Sequence, residues 1–156
     1  MLKEQDSGTR VKALTDLADW SRTGTNGRQE YRVLTDIELR RLAQGELITV
    51  GSHTMTHPTL SKLPPDRQAE EIIQSKKRLE KILGKAVTSF SYPYGSRSDY
   101  TEETVRSVKE AGYEFACSNF PDHVSRGTDV YQLPRFLVRD WDGDEFARRM
   151  RSWLRG

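Results

Sequence analysis

Cysteine occurs once in these 156 residues, as Cys117, so no internal disulfide can form and nothing demands an oxidising compartment. In "EFACSN" it reads as a small buried residue rather than a reactive thiol. Long apolar runs are absent as well. No stretch approaches membrane-spanning length, and the N-terminal "MLKEQDSGTR" has no apolar signal core. The expectation is a soluble chain, cytoplasmic as written, with no membrane partner. An excess of charge of one sign is also lacking. With 25 basic and 23 acidic residues the net charge is +2 and the signs are mixed, which argues against nucleic acid or an anionic membrane. The densest basic run, "KKRLEK" at 76–81, has Glu neighbours and reads as a solvated helix face. There is no internal repeat, no low-complexity tract, and no pair of adjacent aspartates anywhere.

What is present is an alternation of helical and extended patterns. Thr9 is placed to cap a first helix with Val11, Leu14, Leu17 and Ala18 on one face, ending near "SRTGTNG". Thr35 and Glu38 have capping-box spacing, Leu34 and Leu39 sit at the staple positions, and Gly45 is a candidate C′ residue. The strand pattern "LITVGS" (47–52) follows. "PPDRQAEEIIQSKKRLEKILGK" predicts a long amphipathic helix with Ala69, Ile72, Ile73, Leu79 and Leu83 on one stripe and Gly84 as its stop. "VTSFSY" (87–92) predicts a strand ending in the turn "PYGS". A helix over "TEETVRSVKEAG", turning Val105, Val108 and Ala111 inward, a strand at "YEFACSN" and an extended segment at "VYQLPRFLV" (130–138) come next. Asp144 would cap a last helix with Phe146, Ala147, Met150, Trp153 and Leu154 on one side. Such an order implies βαβ units and a largely parallel sheet, open or curling into a barrel, with function at the C-terminal ends of the strands.

Two of the three histidines, His53 and His57, lie at such an end, in "GSHTMTHP". A spacing of i and i+4 faces both side chains the same way over one helical turn and permits joint ligation of a metal. The Glu of a zinc-peptidase helix is missing between them, since Thr54, Met55 and Thr56 fill the gap. Spacing alone leaves open two unrelated polar loop residues. His123, in "PDHVS", reads as an exposed loop histidine.

The wider stretch is more specific. "GSHTMTHPTLSKL", a helix, and then "VTSFSYPYGS" resemble the polysaccharide deacetylase family, the NodB homology domain of carbohydrate esterase family 4, over roughly residues 30–156. The resemblance extends to "AGYEFACSN" and "YQLPRF". It implies a metal-dependent hydrolase that removes acetyl groups from N-acetylated sugars in a polysaccharide or oligosaccharide. His53 and His57 would be two of three protein ligands for a divalent metal, zinc by family habit. The metal would polarise the acetamide carbonyl and lower the pKa of a bound water. The backbone N–H of Tyr94 would stabilise the oxyanion. Tyr92, Pro93, Tyr94 and Trp141 would line the sugar cleft, with Arg135 as a charge or a structural residue at a strand end.

The departures are equally informative. The family's Thr-Phe-Asp-Asp motif, which supplies the general base and the third ligand, has no counterpart here. Position 91, an arginine in many members, is Ser91, and "FLVRD" lacks the late histidine that serves as general acid. A complete (β/α) barrel takes about 250 residues. The resemblance therefore implies an incomplete distorted (β/α) barrel without its N-terminal strands: residues 1–29 a helix and loop, residues 30–156 a partial deacetylase domain. Metal would be weakly bound and the chain alone inactive, with self-association through the open barrel edge. The alternative reading is a non-catalytic glycan-binding or structural remnant of such a domain.

Overall fold

Parallel pairing at the centre of the molecule organises everything else. The computed structural model describes residue 5, residues 7–24 and residues 31–155. Seven named elements follow in the order α1 (Ser7–Ser21), α2 (Asp36–Leu42), α3 (Pro65–Leu83), β1 (Ser89–Ser91), α4 (Glu102–Glu110), β2 (Phe115–Cys117) and α5 (Gly143–Arg155), with a short 3₁₀ turn at Leu60–Lys62. Strand β1 pairs in parallel with β2, Phe90 opposite Ala116. On the outer side of β1, Ser52 forms a single parallel bridge to Phe90, and beyond β2, Leu133 bridges to Cys117. Four chain segments thus lie side by side in one direction, as the alternating pattern predicts.

The outer two segments are shorter than expected. "LITVGS" contributes one bridge at Ser52, and 130–138 contributes one at Leu133. The physical reason for the first is that no described residue pairs with its outer side, and an extended segment bonded on one side only, with Leu47 96% exposed, has little to hold it in register. For the second, Pro134 cannot donate to a ladder. The described residues form an incomplete α/β arrangement and not a closed barrel.

The core lies between the sheet and helices α3 and α4. It comprises Leu60, Ile72, Val87, Phe90, Tyr92, Tyr100, Val105, Val108, Tyr113 and Ala116. The polar tips of its tyrosines are satisfied: Tyr92 donates to the Tyr131 carbonyl and Tyr113 to that of Ile72. Proline at the first turn starts α3, and Gly84 ends it at φ 68°, a left-handed position that suits glycine. Thr101 caps α4, and the Thr35–Glu38 capping box starts α2 as expected.

Other boundaries differ. Helix α1 begins at Ser7, which places Thr9 inside the helix rather than at its cap, and Val11, Leu14 and Leu17 face solvent. Helix α2 stops at Leu42 with Ala43 as its C-cap, so Gly45 is not a left-handed terminator. Asp142, not Asp144, caps α5, its carboxylate accepting the Glu145 N–H at 2.8 Å. Cys117 is half-buried. Lys76 is no solvated side chain: its ammonium donates to the Val87 and Gly112 carbonyls at 2.6 and 3.0 Å and sits over the Tyr113 ring. The domain boundary expected at 29/30 lies outside the described residues.

Candidate active site

The histidine loop begins where the sheet ends. Ser52 donates to the Ser89 carbonyl and accepts from the Ser91 N–H, both at 2.9 Å. The next residue, His53, has Nδ1 2.7 Å from the Ser91 carbonyl. A carbonyl only accepts, so Nδ1 carries the proton and the lone pair of the neutral ring is on Nε2. The His57 ring meets His53 edge to face, with centroids 4.8 Å apart, and meets the Tyr94 ring at the same separation.

This convergence does not come from a helical turn. Residues 53–57 form a bent loop, with Thr54 at φ 67° and His57 at φ 57°. The Thr54 hydroxyl accepts the His57 N–H at 3.1 Å. Outside the loop, the Glu71 carboxylate on α3 accepts the N–H groups of Met55 and Thr56 at 2.8 and 2.9 Å and the Thr56 hydroxyl at 2.8 Å. Arg10 on α1 donates to the Thr56 and His57 carbonyls at 3.0 and 3.3 Å.

The opposing wall is the "PYGS" turn. Tyr94 has φ 60°, and the Gly95 N–H closes a three-residue turn onto the Pro93 carbonyl at 2.6 Å. Gly95 has φ 73°, and a Cβ there would come within 2.9 Å of the Asn119 backbone N. Asn119 in turn donates from Nδ2 to the Tyr94 carbonyl at 3.1 Å, which ties the turn to the chain after β2. Arg135 completes the wall. Its Nε donates to the Ser118 carbonyl at 2.6 Å and its Nη2 to Ser91 Oγ at 3.0 Å, so its guanidinium stands on the serine at position 91.

Together these residues enclose an open cleft of about 360 Å³, bordered by His53, His57, Tyr94, Asn119, Arg135 and Phe136. Tyr92 also borders it, whereas Pro93 does not line it. The Tyr92 ring is 1% exposed and stacked on Tyr100 at 4.0 Å, and Pro93 is fully buried, so neither offers a face to a sugar. Trp141 is not at the cleft. It packs near Trp153 with the Arg149 guanidinium over its ring. Phe136, stacked on Trp153, is an aromatic that does border the cleft. His123 is exposed, with its ring against Phe136 and Nε2 at the Trp153 carbonyl. Glu71, Asn119 and Phe136 were not foreseen. Only the "LPRF" run, which places Phe136 beside Arg135, gave a signal in the sequence.

The electrostatics favour a neutral His53. Packing strips hydration from its ring and lowers its pKa, an effect that outweighs the Ser91 carbonyl, which raises it; His57 and Arg135 lower it further. A neutral imidazole with its tautomer set by a backbone acceptor suits a zinc-type ligand. Two imidazoles fit part of such a site. Among the described residues no third His, Cys, Asp or Glu joins them. Asp99 is engaged by the Ser96 N–H and hydroxyl, and Asp142 by its helix cap.

Comparison with known proteins identifies a family. The family model for polysaccharide deacetylase matches residues 22–116. The chain is 33% identical over 105 residues to Bacillus subtilis YxkH, a protein named for the same family, covering 67% of this chain and 36% of that one. It is 25% identical over 142 residues to a poly-beta-1,6-N-acetyl-D-glucosamine N-deacetylase of Staphylococcus aureus, covering 84% and 47%. The chain thus spans about a third to a half of the length of these relatives. Among solved structures, the Streptococcus pyogenes deacetylase PplD in complex with acetate superposes with a TM-score of 0.68 at 22% identity, over 78% of this chain and 53% of that one. The Bacillus cereus polysaccharide deacetylase BC0361 gives 0.66 at 22%, over 94% and 48%. These two show likeness of fold. The matched span covers more than half of the sequence and contains both the histidine loop and the Tyr94 turn, and the chain belongs to the polysaccharide deacetylase family.

Proposed function

We propose that this chain is the part of a metal-dependent polysaccharide N-deacetylase that carries two metal ligands and one wall of the substrate cleft. The observation that supports it most is the convergence of the His53 and His57 rings beside Tyr94 and Arg135 in one cleft. His53 and His57 would hold a divalent metal, zinc, through neutral imidazoles. When bound, that ion would supply Lewis-acid polarisation of an acetamide carbonyl and a more acidic water. The chain's own residues would do the rest. Tyr94 would present its backbone N–H to the oxygen that gains charge, and Arg135, fixed by Ser91 and Ser118, would add a positive field at the same wall. Tyr94 and Phe136 would pack on the sugar ring. The substrate would be an oligosaccharide or polysaccharide bearing N-acetyl groups, in line with the poly-N-acetylglucosamine named for the S. aureus relatives.

The family's source of the general base and the third ligand, the Asp-Asp pair, has no counterpart in this sequence. Residues 30–156 would be a partial domain of a distorted (β/α) barrel, preceded by a helix and loop at 1–29. Residues 1–156 alone should bind metal weakly and release no acetate from N-acetylglucosamine oligomers above a His53→Ala control. Placing a segment with the family's Thr-Phe-Asp-Asp strand ahead of residue 22, with zinc supplied, should give His53-dependent acetate release. A folded chimera that binds zinc through both histidines yet releases none would refute the reading. A second reading, a glycan-binding module without chemistry, draws on the aromatic cleft wall of Tyr94 and Phe136. It predicts saturable oligosaccharide binding by the chimera without turnover.

A further inference from the structure

Residues 53–57 hold a backbone that the sequence does not favour. Thr54 and His57 both have left-handed φ, and for a β-branched residue such as Thr54 that is an outlier. Such conformations persist where the surroundings over-determine them. The hydrogen bonds inside the loop, from His57 N–H to the Thr54 hydroxyl and from that hydroxyl to the His53 carbonyl, are a small part of that requirement.

The larger part comes from helix α3. Glu71 and Ser75 are four residues apart and so share one face of the helix. Ser75 Oγ lies 2.6 Å from Ser52 Oγ, immediately before His53. The two oxygens of Glu71 take three donors immediately after Thr54: Met55 N–H, Thr56 N–H and the Thr56 hydroxyl. The helix therefore grips the chain on both sides of His53, and it is itself anchored by Ile72, which is fully buried between the two contacts. Arg10 touches the carbonyl side of the same loop from an exposed helix. Both Glu71 oxygens are engaged with loop donors, which argues against a ligand role for this carboxylate.

We propose that Glu71 is the positioning residue of the histidine pair, acting through the geometry of its hydrogen bonds and not through its charge. The consequence for metal binding rests on the function proposed above. The loop geometry does not. Geometry and charge make opposite predictions for the conservative variants. In Glu71→Gln, the amide oxygen can accept both backbone N–H groups while the amide nitrogen donates to the Thr56 hydroxyl, so the clamp survives without charge. Glu71→Asp keeps the charge but is one methylene too short to reach.

The test compares the full chain with E71Q, E71D and E71A. It measures hydrogen exchange at the Met55 and Thr56 amides, ring-to-ring contacts of His53 and His57 by NMR, and affinity for Co²⁺. E71Q should match the parent in all three. E71D and E71A should lose protection at Met55 and Thr56, lose the ring contacts, and bind Co²⁺ about tenfold or more weakly, as outer residues of metal sites do. Protection at Phe90 and Ala116 should be equal in all four proteins. E71Q as damaged as E71D and E71A would overturn the proposal, as would four indistinguishable loops. Loss of core protection alongside the loop would reduce Glu71 to a general stabiliser and overturn it too. Absence of His53-dependent Co²⁺ binding in the parent would count against the proposed function alone, while the exchange and ring contacts would still decide the clamp.

Discussion

Residues 59–118 and residues 31–50 contain similar apolar side chains and meet opposite fates. In the first region Ile72, Val108 and Ala116 are fully buried and Phe90 is 2% exposed. In the second, Val33 is 87%, Ile37 75% and Leu47 96% exposed. Local signals are sound in both, since α2 has a complete capping box and α4 a matching one. The difference is partners. The 59–118 segment closes a βαβ unit whose helices cover the sheet, whereas nothing described covers the outer side of 47–52. The histidine loop lies on the border between them, fixed to the packed side through Ser91, Ser75 and Glu71. A loop can thus be held firmly at the edge of an incomplete sheet by contacts from its packed side.

The largest expected effect that sharpens this contrast is in the core. Phe90 packs edge to face on Tyr92 and against Tyr113, and Phe90→Ala should cost about 3–5 kcal/mol in urea unfolding. Leu47→Ala should stay within about 0.5 kcal/mol. A large loss from Leu47→Ala would show that the outer side is packed after all. Gly95→Ala comes next. Its added methyl meets the Asn119 backbone at a left-handed φ, so about 1–3 kcal/mol should be lost, with displacement of the Tyr94 turn visible as changed Asn119 amide resonances. Smaller still is an effect on association. Replacing Leu47 by Lys should leave the unfolding midpoint unchanged and lower the apparent mass in light scattering, because a charge on an exposed edge discourages pairing. A parent chain that is monomeric at tens of micromolar would break that expectation.

The smallest effect concerns pH. The native pKa of His53 is lowered, and the unfolded value is about 6.5. The unfolded chain therefore binds the proton more readily, and stability falls as pH drops below about 6.5, levelling off once the depressed native pKa is passed. The urea midpoint should decline from pH 7.5 to 5, and less steeply in His53→Asn. Equal slopes would show that His53 is not desolvated in the fold.

Much of this architecture is legible in residue patterns. The helical stripe of α3, its stop at Gly84, the Thr35–Glu38 box and the order of parallel strands follow from periodicity and capping chemistry. The histidines and the Tyr94 turn were legible as motifs. What escaped depends on tertiary proximity. Tyr92 and Trp141 have the chemistry of sugar platforms, but one ring is stacked in the core and the other is packed near α5. Glu71 and Lys76 look like ordinary helix-surface charges, yet each reaches backbone groups far away in sequence. Hydrophobic periodicity marks the buried face of α3 but not which polar side chain at its margin finds a partner, and in α1 the apolar stripe it marks stays exposed.

The central claim is that His53 and His57 act together on one ion. Titrating the full chain with Zn²⁺ while following the two histidine ring spectra tests it most directly. The account predicts that both rings respond together with one-to-one stoichiometry, that His53→Ala or His57→Ala abolishes the response, and that dialysis against EDTA reverses it, since two imidazoles fall short of the usual ligand count. Rings that respond independently or not at all would contradict the claim, and stoichiometric zinc that survives EDTA would reveal a further ligand in this chain.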